Sequence, residues 1–166
     1  MINYLWLVAA LAMIVGITII QEPLAHTDLQ YQPSVLALRH IIENAATTAR
    51  LMQNGNGIDD EEGVTVVIAP TAVGGVLVAT YAGTPPTTSA QPTSRTSLPI
   101  LLGNATTALT IAIRPSGVVE TAATAYTPSK PVALAPCTTK PITTSTNRHI
   151  LGILTLDCTN GSISGP

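Results

Sequence analysis

The chain has 166 residues, of which 46% are hydrophobic, 10% charged and 3% aromatic, and its formal net charge is −2 at pH 7. The seven Lys and Arg residues are scattered, so the sequence lacks the clustered cations that nucleic-acid binding requires. This length suits one small domain with a single core. Low charge with abundant Thr favours β-rich structure outside the cytoplasm over a conventional cytoplasmic enzyme.

The first predicted element is the apolar, uncharged run from Met1 to Ile20, MINYLWLVAALAMIVGITII. As a helix it would be about 30 Å long, which is the thickness of a bilayer's hydrocarbon core. The first basic residue is Arg39 and no A-x-A-like site follows the run, which disfavours a cleaved signal peptide. We therefore predict a retained single transmembrane span in the inner or cytoplasmic membrane, with the C-terminal domain outside the cytoplasm.

The second predicted element is an amphipathic helix beyond Pro23, where proline should kink a helix that leaves the bilayer. Pro33 can open a helical segment at its first position, and the doubled turn signal at Asn54 to Gly57 should end it. Apolar residues between these limits recur at alternating steps of three and four, which places them on one stripe. Residues 1–53 are thus predicted to form one helical spine, with its amphipathic half at residues 24–53. The stripe consists of Val35, Leu38, Ile42, Ala45, Ala49 and Met52.

Residues 54–166 are predicted to form an extracytoplasmic β-rich globular domain that covers this stripe. Short β-branched runs separated by Gly and Pro indicate two hairpins, whereas the Thr-, Ser- and Pro-rich stretch Gly83 to Pro99 is interpreted as an exposed loop or linker. The predicted fold class is therefore α+β, a long N-terminal hydrophobic helix packed on a small antiparallel β-sheet. The predicted strands are Val64–Ala69, Val76–Tyr81, Leu109–Arg114, Val118–Ala125 and Ile150–Cys158, with the tail Ser162–Ser164 folding back on the last one.

The two cysteines, Cys137 and Cys158, stand near the C-terminus. Outside the cytoplasm a disulfide is the expected state of such a pair, and closing the loop between them would stabilise the fold by about 3 kcal/mol in the chain-entropy model. A zinc site is the alternative, but His149 is the only nearby imidazole and the C-x2-C spacing is missing.

No stretch of the sequence carries a recognisable catalytic or cofactor motif. The acidic run Asn54 to Glu62 invites calcium, yet its spacing fails the EF-hand template and a solvated turn fits it better. The three His residues are isolated and no nucleophile or phosphate-loop motif accompanies them, so we expect no enzymatic activity, cofactor or metal. Asn104 and Asn160 begin N-x-[ST] sequons and are candidate glycosylation sites.

The whole arrangement resembles the type IV pilin and pseudopilin superfamily. Its members have an apolar N-terminal helix, a proline near residue 22, an amphipathic second half, an antiparallel sheet and often a C-terminal disulfide-bounded loop. The resemblance implies a structural subunit that leaves the inner membrane through the pilus assembly machinery and joins other copies of itself in a helical extracellular filament. The corresponding features here are Met1–Ile20, Pro23, Val35–Met52, and Cys137 with Cys158. The implied assembly residues are Met1, Leu5, Gly16 and Pro23, followed by the stripe from Val35 to Met52.

Two departures from that superfamily keep other functions open. Many pilins carry glutamate at position 5 of the mature chain, where this sequence has Leu5, and no prepilin peptidase site is present. An unprocessed chain would instead resemble the small accessory proteins of conjugative thin pili, the PilM family. The alternatives are therefore a membrane-anchored accessory protein or minor pseudopilin of a pilus or secretion apparatus, and an anchored binding module.

Overall fold

The computed structural model describes residues 31–52, 63–83, 91–103, 108–127, 132–137, 139–146 and 149–165. The chain divides into two compact units, Met1–Pro33 and Ser34–Pro166. Only residues 31–33 of the first unit are described, so the fold is that of the second unit.

One helix, α1, covers residues 31–51 and ends in a 3-10 turn at residue 52. Its apolar stripe is buried, with every member from Val35 to Ala49 at most 5% exposed. Beside the stripe, Arg39 Nε donates to Glu43 Oε1 at 2.8 Å, an ion pair one helical turn apart. The segment is helical because packing of an amphipathic face stabilises a helix more than intrinsic propensity does. The buried side chains are Val35, Leu38, Ile42, Ala45, Ala46 and Ala49.

The described residues form ten strands, and all their pairings are antiparallel. The strands are β1 (Val64–Pro70), β2 (Val76–Ala82), β3 (Ser94–Leu98), β4 (Leu101–Leu102), β5 (Leu109–Ile113), β6 (Val119–Ala122), β7 (Ala135–Pro136), β8 (Lys140–Ser145), β9 (Ile150–Leu156) and β10 (Ile163–Ser164). A six-stranded sheet has the order β3-β2-β1-β5-β6-β7, and a four-stranded sheet has the order β10-β9-β8-β4.

The first strand in the sequence, β1, lies in the middle of the six-stranded sheet. It pairs with β2 along seven residues and with β5 along five, so that Val66 lies between Thr80 and Ile111. Residues 64–68 are all at most 4% exposed, which means that both faces of this strand are covered. A strand buried on both faces has a continuous apolar run rather than an alternating pattern.

One face of the six-stranded sheet is covered by α1. Ala46 of the helix approaches Ile113 and Val119 of the sheet at Gly161, which lies between them. A Cβ atom at Gly161 would be 3.4 Å from Ala46 Cβ and 3.5 Å from Cγ2 of each of the other two residues. The absence of a side chain at Gly161 therefore lets helix and sheet pack closely here.

The opposite face of this sheet is covered by a small aromatic cluster. Tyr81 and Tyr126 meet edge to face with ring centroids 5.4 Å apart, next to Val67. Burial, and secondarily Tyr81, raises the pKa of Tyr126 above its usual value. The buried Thr110 hydroxyl donates to Thr124 O at 2.6 Å and accepts the Tyr126 N–H at 3.0 Å, so polar groups beneath the cluster are paired.

The four-stranded sheet is buried on both faces at β4, where Leu101 and Leu102 are both buried, but only on one face along β9. Ile142, Leu154 and Leu156 point inward and are at most 3% exposed, whereas Ile150 and Ile153 are 70% and 51% exposed. The inward residues follow the alternation expected of a sheet that is solvated on one side.

A disulfide between Cys137 and Cys158 confirms the prediction from the cysteine pair. Cys137 directly follows β7, the edge of the six-stranded sheet, and Cys158 lies two residues beyond β9 of the four-stranded sheet. Their Cα atoms are 5.4 Å apart. The bond therefore links the two sheets covalently.

The turn between β1 and β2 contains two glycines with positive φ, Gly74 at +87° and Gly75 at +95°. We expect Gly75→Ala to lower the free energy of unfolding by at least about 2 kcal/mol. Alanine is strained at this positive φ, and its Cβ would also meet the backbone of β3, the strand paired with β2. That Cβ would lie 2.5 Å from Leu98 O. Urea denaturation followed by circular dichroism measures the effect.

Gly74→Ala is the matched control for that substitution. A Cβ at Gly74 meets nothing within 4 Å, so only the cost of its φ remains, about 1 kcal/mol. Equal losses in the two variants would show that the contact with Leu98 does not matter.

The predicted fold class, a long N-terminal hydrophobic helix packed on one small antiparallel sheet, is wrong. The described residues contain one helix, residues 31–51, and two antiparallel sheets. That helix carries Arg39, Glu43 and Arg50, so it is an amphipathic surface helix and not a hydrophobic one. The run Met1–Ile20, on which the hydrophobic half was predicted, lies outside the described residues.

The predicted localisation, a single-pass membrane anchor with its C-terminal domain outside, is corrected as well. Within the described ranges, no helix combines the length and the apolar character that crossing a bilayer demands. The helix α1 has a sufficient length, but its charged and polar face is incompatible with a hydrocarbon environment.

The strand predictions are confirmed in the two hairpins, β1–β2 and β5–β6, and in the tail that pairs with β9. The interpretation of Gly83 to Pro99 as a loop is wrong at Ser94–Leu98, which forms the edge strand β3. The first four side chains of this strand are exposed, so they contribute no apolar alternation to the sequence. Its pairing with β2 depends on backbone hydrogen bonds, which such a pattern does not reveal.

Candidate functional site

A cavity of about 280 Å³ lies between α1 and the β3 side of the six-stranded sheet. Its size is near the lower limit for small-molecule pockets, which start at roughly 300 Å³. The helix side is lined by Ile41, Asn44, Ala45, Thr48 and Met52, and the strand side by Val64, Thr80, Tyr81, Ala82, Thr93 and Ser94.

The described residues that line this cavity offer hydroxyls and one side-chain amide, and none of them is charged. Thr93 is held in place by Thr80, whose carbonyl oxygen accepts the Thr93 N–H at 2.7 Å and the Thr93 hydroxyl at 3.0 Å. A cavity with this lining suits a small uncharged molecule with an apolar part. Among its described lining residues there is no base that could activate a nucleophile.

A second concentration of polar groups lies in the turn after β9. Asp157 Oδ1 accepts the Thr159 hydroxyl at 2.7 Å and the Thr159 N–H at 2.9 Å. These two hydrogen bonds hold the pKa of Asp157 below its usual value of 3.8, and the bond from the hydroxyl has the larger effect. Gly161 N–H closes the turn on Asp157 O at 2.8 Å. The carboxylate thus organises the turn that contains Cys158.

This lowered pKa predicts a pH-dependent difference between the wild-type chain and Asp157→Asn. A depressed folded-state pKa stabilises the protein above the unfolded-state value, and that contribution is lost as the pH falls through the folded-state pKa. We expect the wild type to have the higher Tm near neutral pH and the two proteins to converge as the pH falls below 3.8 and passes through the folded-state pKa. Thermal unfolding across this range measures the difference, and a gap that is independent of pH would contradict the assignment.

The predicted assembly residues fall into two groups. Met1, Leu5, Gly16 and Pro23 lie outside the described residues, so their role stays a prediction. The stripe of α1 is brought together on the buried face of the helix, where it packs within its own chain. Met52, the last member of the stripe, is half-buried and lines the cavity.

The candidate glycosylation and calcium sites are only partly described. Asn160 is exposed, and its Oδ1 accepts the Ser162 N–H at 2.8 Å. Asn104 and the acidic run at residues 54–62 lie outside the described residues. Glycosylation and the solvated-turn interpretation therefore stay predictions.

The described histidines are both exposed, at positions 40 and 149. His40 Nδ1 lies 3.5 Å from Glu43 Oε2, on the surface of α1. Across the described ranges, no three His, Cys, Asp or Glu side chains come together in a way that could hold a metal ion.

Sequence reasoning missed the cavity. Thr80, Thr93 and Ser94 reach it from β2 and from the start of β3, whereas its other wall comes from α1. These residues are ordinary Thr and Ser positions in a chain rich in both, so no local signal distinguishes them. The cavity arises from the distance between a helix and a strand edge, which only the tertiary structure defines.

No protein-family model, curated protein or solved structure matches this chain. The resemblance to type IV pilins therefore stays a prediction from the sequence.

Proposed function

We propose that this protein is a structural subunit of a type IV pilus-like filament. The observation that carries the proposal is the uncharged apolar sequence of Met1–Ile20, beside an α1 stripe that is buried within its own folded unit. On α1 the large apolar side chains that remain exposed are Leu36 and Leu51, at 43% and 67%. They lie fifteen residues apart, about 22 Å along the helix. The helix therefore presents no continuous apolar surface to a neighbouring molecule.

In this proposal the apolar sequence Met1–Ile20 supplies the contact surface that α1 does not present. It has no charged residue, and so much apolar surface is unfavourable in water unless a partner covers it. Copies of the same segment are suitable partners, because apolar surfaces that cover one another are removed from water. When such contacts are heterologous and do not close on themselves, they produce a helical filament.

In this proposal the unit Ser34–Pro166 stays folded in every subunit. Its two sheets are covalently joined by Cys137–Cys158, and its central strand is covered on both faces. A body of this kind suits a repeated structural role because its fold does not depend on a neighbouring subunit.

The experiment is electron microscopy of the purified full-length chain and of two matched single-charge variants. Ile14→Asp puts a carboxylate into the apolar segment, and we expect it to abolish filaments because burying an unpaired charge is costly. Val73→Asp puts the same group at a turn position that is 96% exposed, and we expect filaments to persist. Filaments that survive the first substitution, or a wild-type chain that forms none, would count against the proposal.

The cavity favours a second candidate function, a binding module for a small uncharged ligand. Thr48 lines the cavity from the exposed side of α1, so Thr48→Met should fill part of it without disturbing the core. We expect a bound compound to raise the Tm of the wild type and to have a smaller effect on the variant. A thermal-shift screen with neutral amphipathic compounds is the test, and equal shifts in both proteins would exclude the cavity as their site.

A further inference from the structure

The last described part of the chain, residues 157–165, forms a self-contained segment that we name the C-terminal strap. Asp157 N–H donates to Ser162 O and Gly161 N–H to Asp157 O, each at 2.8 Å. Asn160 Oδ1 accepts the Ser162 N–H, also at 2.8 Å. Because these hydrogen bonds lie within the strap, it can move as one unit without losing them.

The strap lies against α1. Gly161 fills the narrow space beside Ala46, at the distances given above. Arg39 Nη1 donates to Gly165 O at 3.1 Å, and Arg50 Nη2 donates to Asn160 O. The two arginines are eleven residues apart on the helix, about 16 Å. The helix therefore holds the strap near its middle and at its last residue through backbone carbonyl groups.

The strap is also fastened to the six-stranded sheet, through the disulfide. Cys158 is its second residue, and the partner Cys137 follows β7 and donates its N–H to Val119 O at 3.0 Å. Val119 is one of the residues that a side chain at Gly161 would touch. The disulfide thus fixes the strap over the seam between α1 and the sheet.

The noncovalent attachments of the strap are few. Its strand β10 pairs with β9 at only two positions, against seven for β1 with β2. Ile163, at 4% exposed, is the large apolar side chain that it buries. Both arginine contacts are exposed, and exposed polar contacts add little stability. Segments with so few attachments open at a lower free energy than the core strands.

We propose that the Cys137–Cys158 bond is a redox-sensitive latch on the C-terminal strap. When the bond is reduced, the strap leaves the seam while α1 and the core strands β1 and β5 stay folded. Opening uncovers Ala46, Ile113 and Val119 and breaks the contacts that Arg39 and Arg50 make with the strap, while Arg39 keeps its ion pair with Glu43. Reduction would thereby create an apolar surface patch on α1 and the six-stranded sheet, with the Arg50 guanidinium released beside it.

The reaction is an exchange with a dithiol. One thiolate of the reductant attacks a sulfur of the protein disulfide and forms a mixed disulfide, and the second thiolate then displaces the protein sulfur. Two electrons pass to the protein, the two cysteine sulfurs take up the two protons that the reductant loses, and the reductant becomes a cyclic disulfide. Oxidation by a disulfide of the same class reverses each step.

The test is hydrogen exchange with mass spectrometry on the full chain, oxidised or reduced with dithiothreitol, at short labelling times. We expect peptides that cover β10, whose pairing with β9 is lost when the strap opens, to exchange at least roughly tenfold faster after reduction. Peptides of β1, β5 and α1 should stay unlabelled in both states, since global unfolding remains rare on this timescale. Unchanged protection in the strap, or labelling of β1 together with it, would overturn the proposal.

The variant Cys137→Ser/Cys158→Ser distinguishes loss of the disulfide from any other effect of dithiothreitol on the exchange rates. It should show the open strap without dithiothreitol, and adding dithiothreitol should change none of its exchange rates. A closed strap in this variant would also overturn the proposal, because the noncovalent contacts would then suffice to hold it.

Discussion

Leu38→Ala is expected to lower the free energy of unfolding by about 2 to 5 kcal/mol, because it removes apolar contacts and leaves a cavity between α1 and the sheet. Leu38 is fully buried, at 0% exposed, and lies in the middle of the helix stripe. Chemical denaturation monitored by far-UV circular dichroism gives the measurement.

Leu36→Ala is the control, since it makes the same chemical change two residues away on the other side of the helix. Leu36 is 43% exposed, so its truncation should cost less than about 1 kcal/mol. Similar losses in the two variants would mean that α1 is not held by its buried stripe, and the proposal that this stripe is used within the folded unit would fail.

Removal of the disulfide by Cys137→Ala/Cys158→Ala is expected to cost about 3 kcal/mol under oxidising conditions. The bond closes a sequence separation of 21 residues, so its loss gives the unfolded chain more conformational freedom. Both cysteines are replaced together so that no free thiol is left to form bonds between molecules. Urea denaturation should give a lower midpoint.

The matching control is the wild-type chain reduced with dithiothreitol, which lacks the same crosslink but keeps both sulfur atoms. Its stability should agree with that of the double variant if the crosslink is the cause. An oxidised wild type no more stable than either would contradict the prediction, and would mean that native-state interactions of the disulfide offset its effect on the unfolded chain.

The elements with strong apolar periodicity could be predicted from the sequence. The stripe from Val35 to Ala49 is buried, and the β-branched runs around Val64 and Val76 form a hairpin, because burial of these side chains is what stabilises both elements. The edge strand Ser94–Leu98 could not be predicted in this way. It buries one side chain, Leu98, and is otherwise held in the sheet by backbone hydrogen bonds to β2. Such bonds do not depend on the side chains and leave no pattern in the sequence.

The division into two sheets also depends on long-range pairing. β4, at Leu101–Leu102, lies next to β3 in the sequence but pairs with β8 at Thr144 and Ser145. A two-residue strand has no periodicity of its own, so its partner cannot be inferred from local pattern. The cavity has the same origin, since its walls come from segments that are distant in the sequence.

The membrane prediction failed for a different reason. It placed a transmembrane span on Met1–Ile20, which lies outside the described residues, and no described helix is both long enough and apolar enough to cross a bilayer. In the described residues the helix carries Arg39 and Arg50, both of which are engaged with the C-terminal strap rather than with solvent alone. A stripe pattern shows which side of a helix is buried but not what covers the rest of it.

The order of strands in the six-stranded sheet has a consequence for how the chain folds. Because β1 is central, its pairing with β2 closes a loop of only a few residues, whereas its pairing with β5 brings together segments about forty residues apart. We expect the β1–β2 hairpin to form first and the closure of β5 onto β1 to limit the folding rate. Pulse-labelled hydrogen exchange during refolding should then protect the amides of β2 before those of β6. Because the first strand is central, the six-stranded sheet cannot be completed until β5, in the middle of the chain, has paired with it.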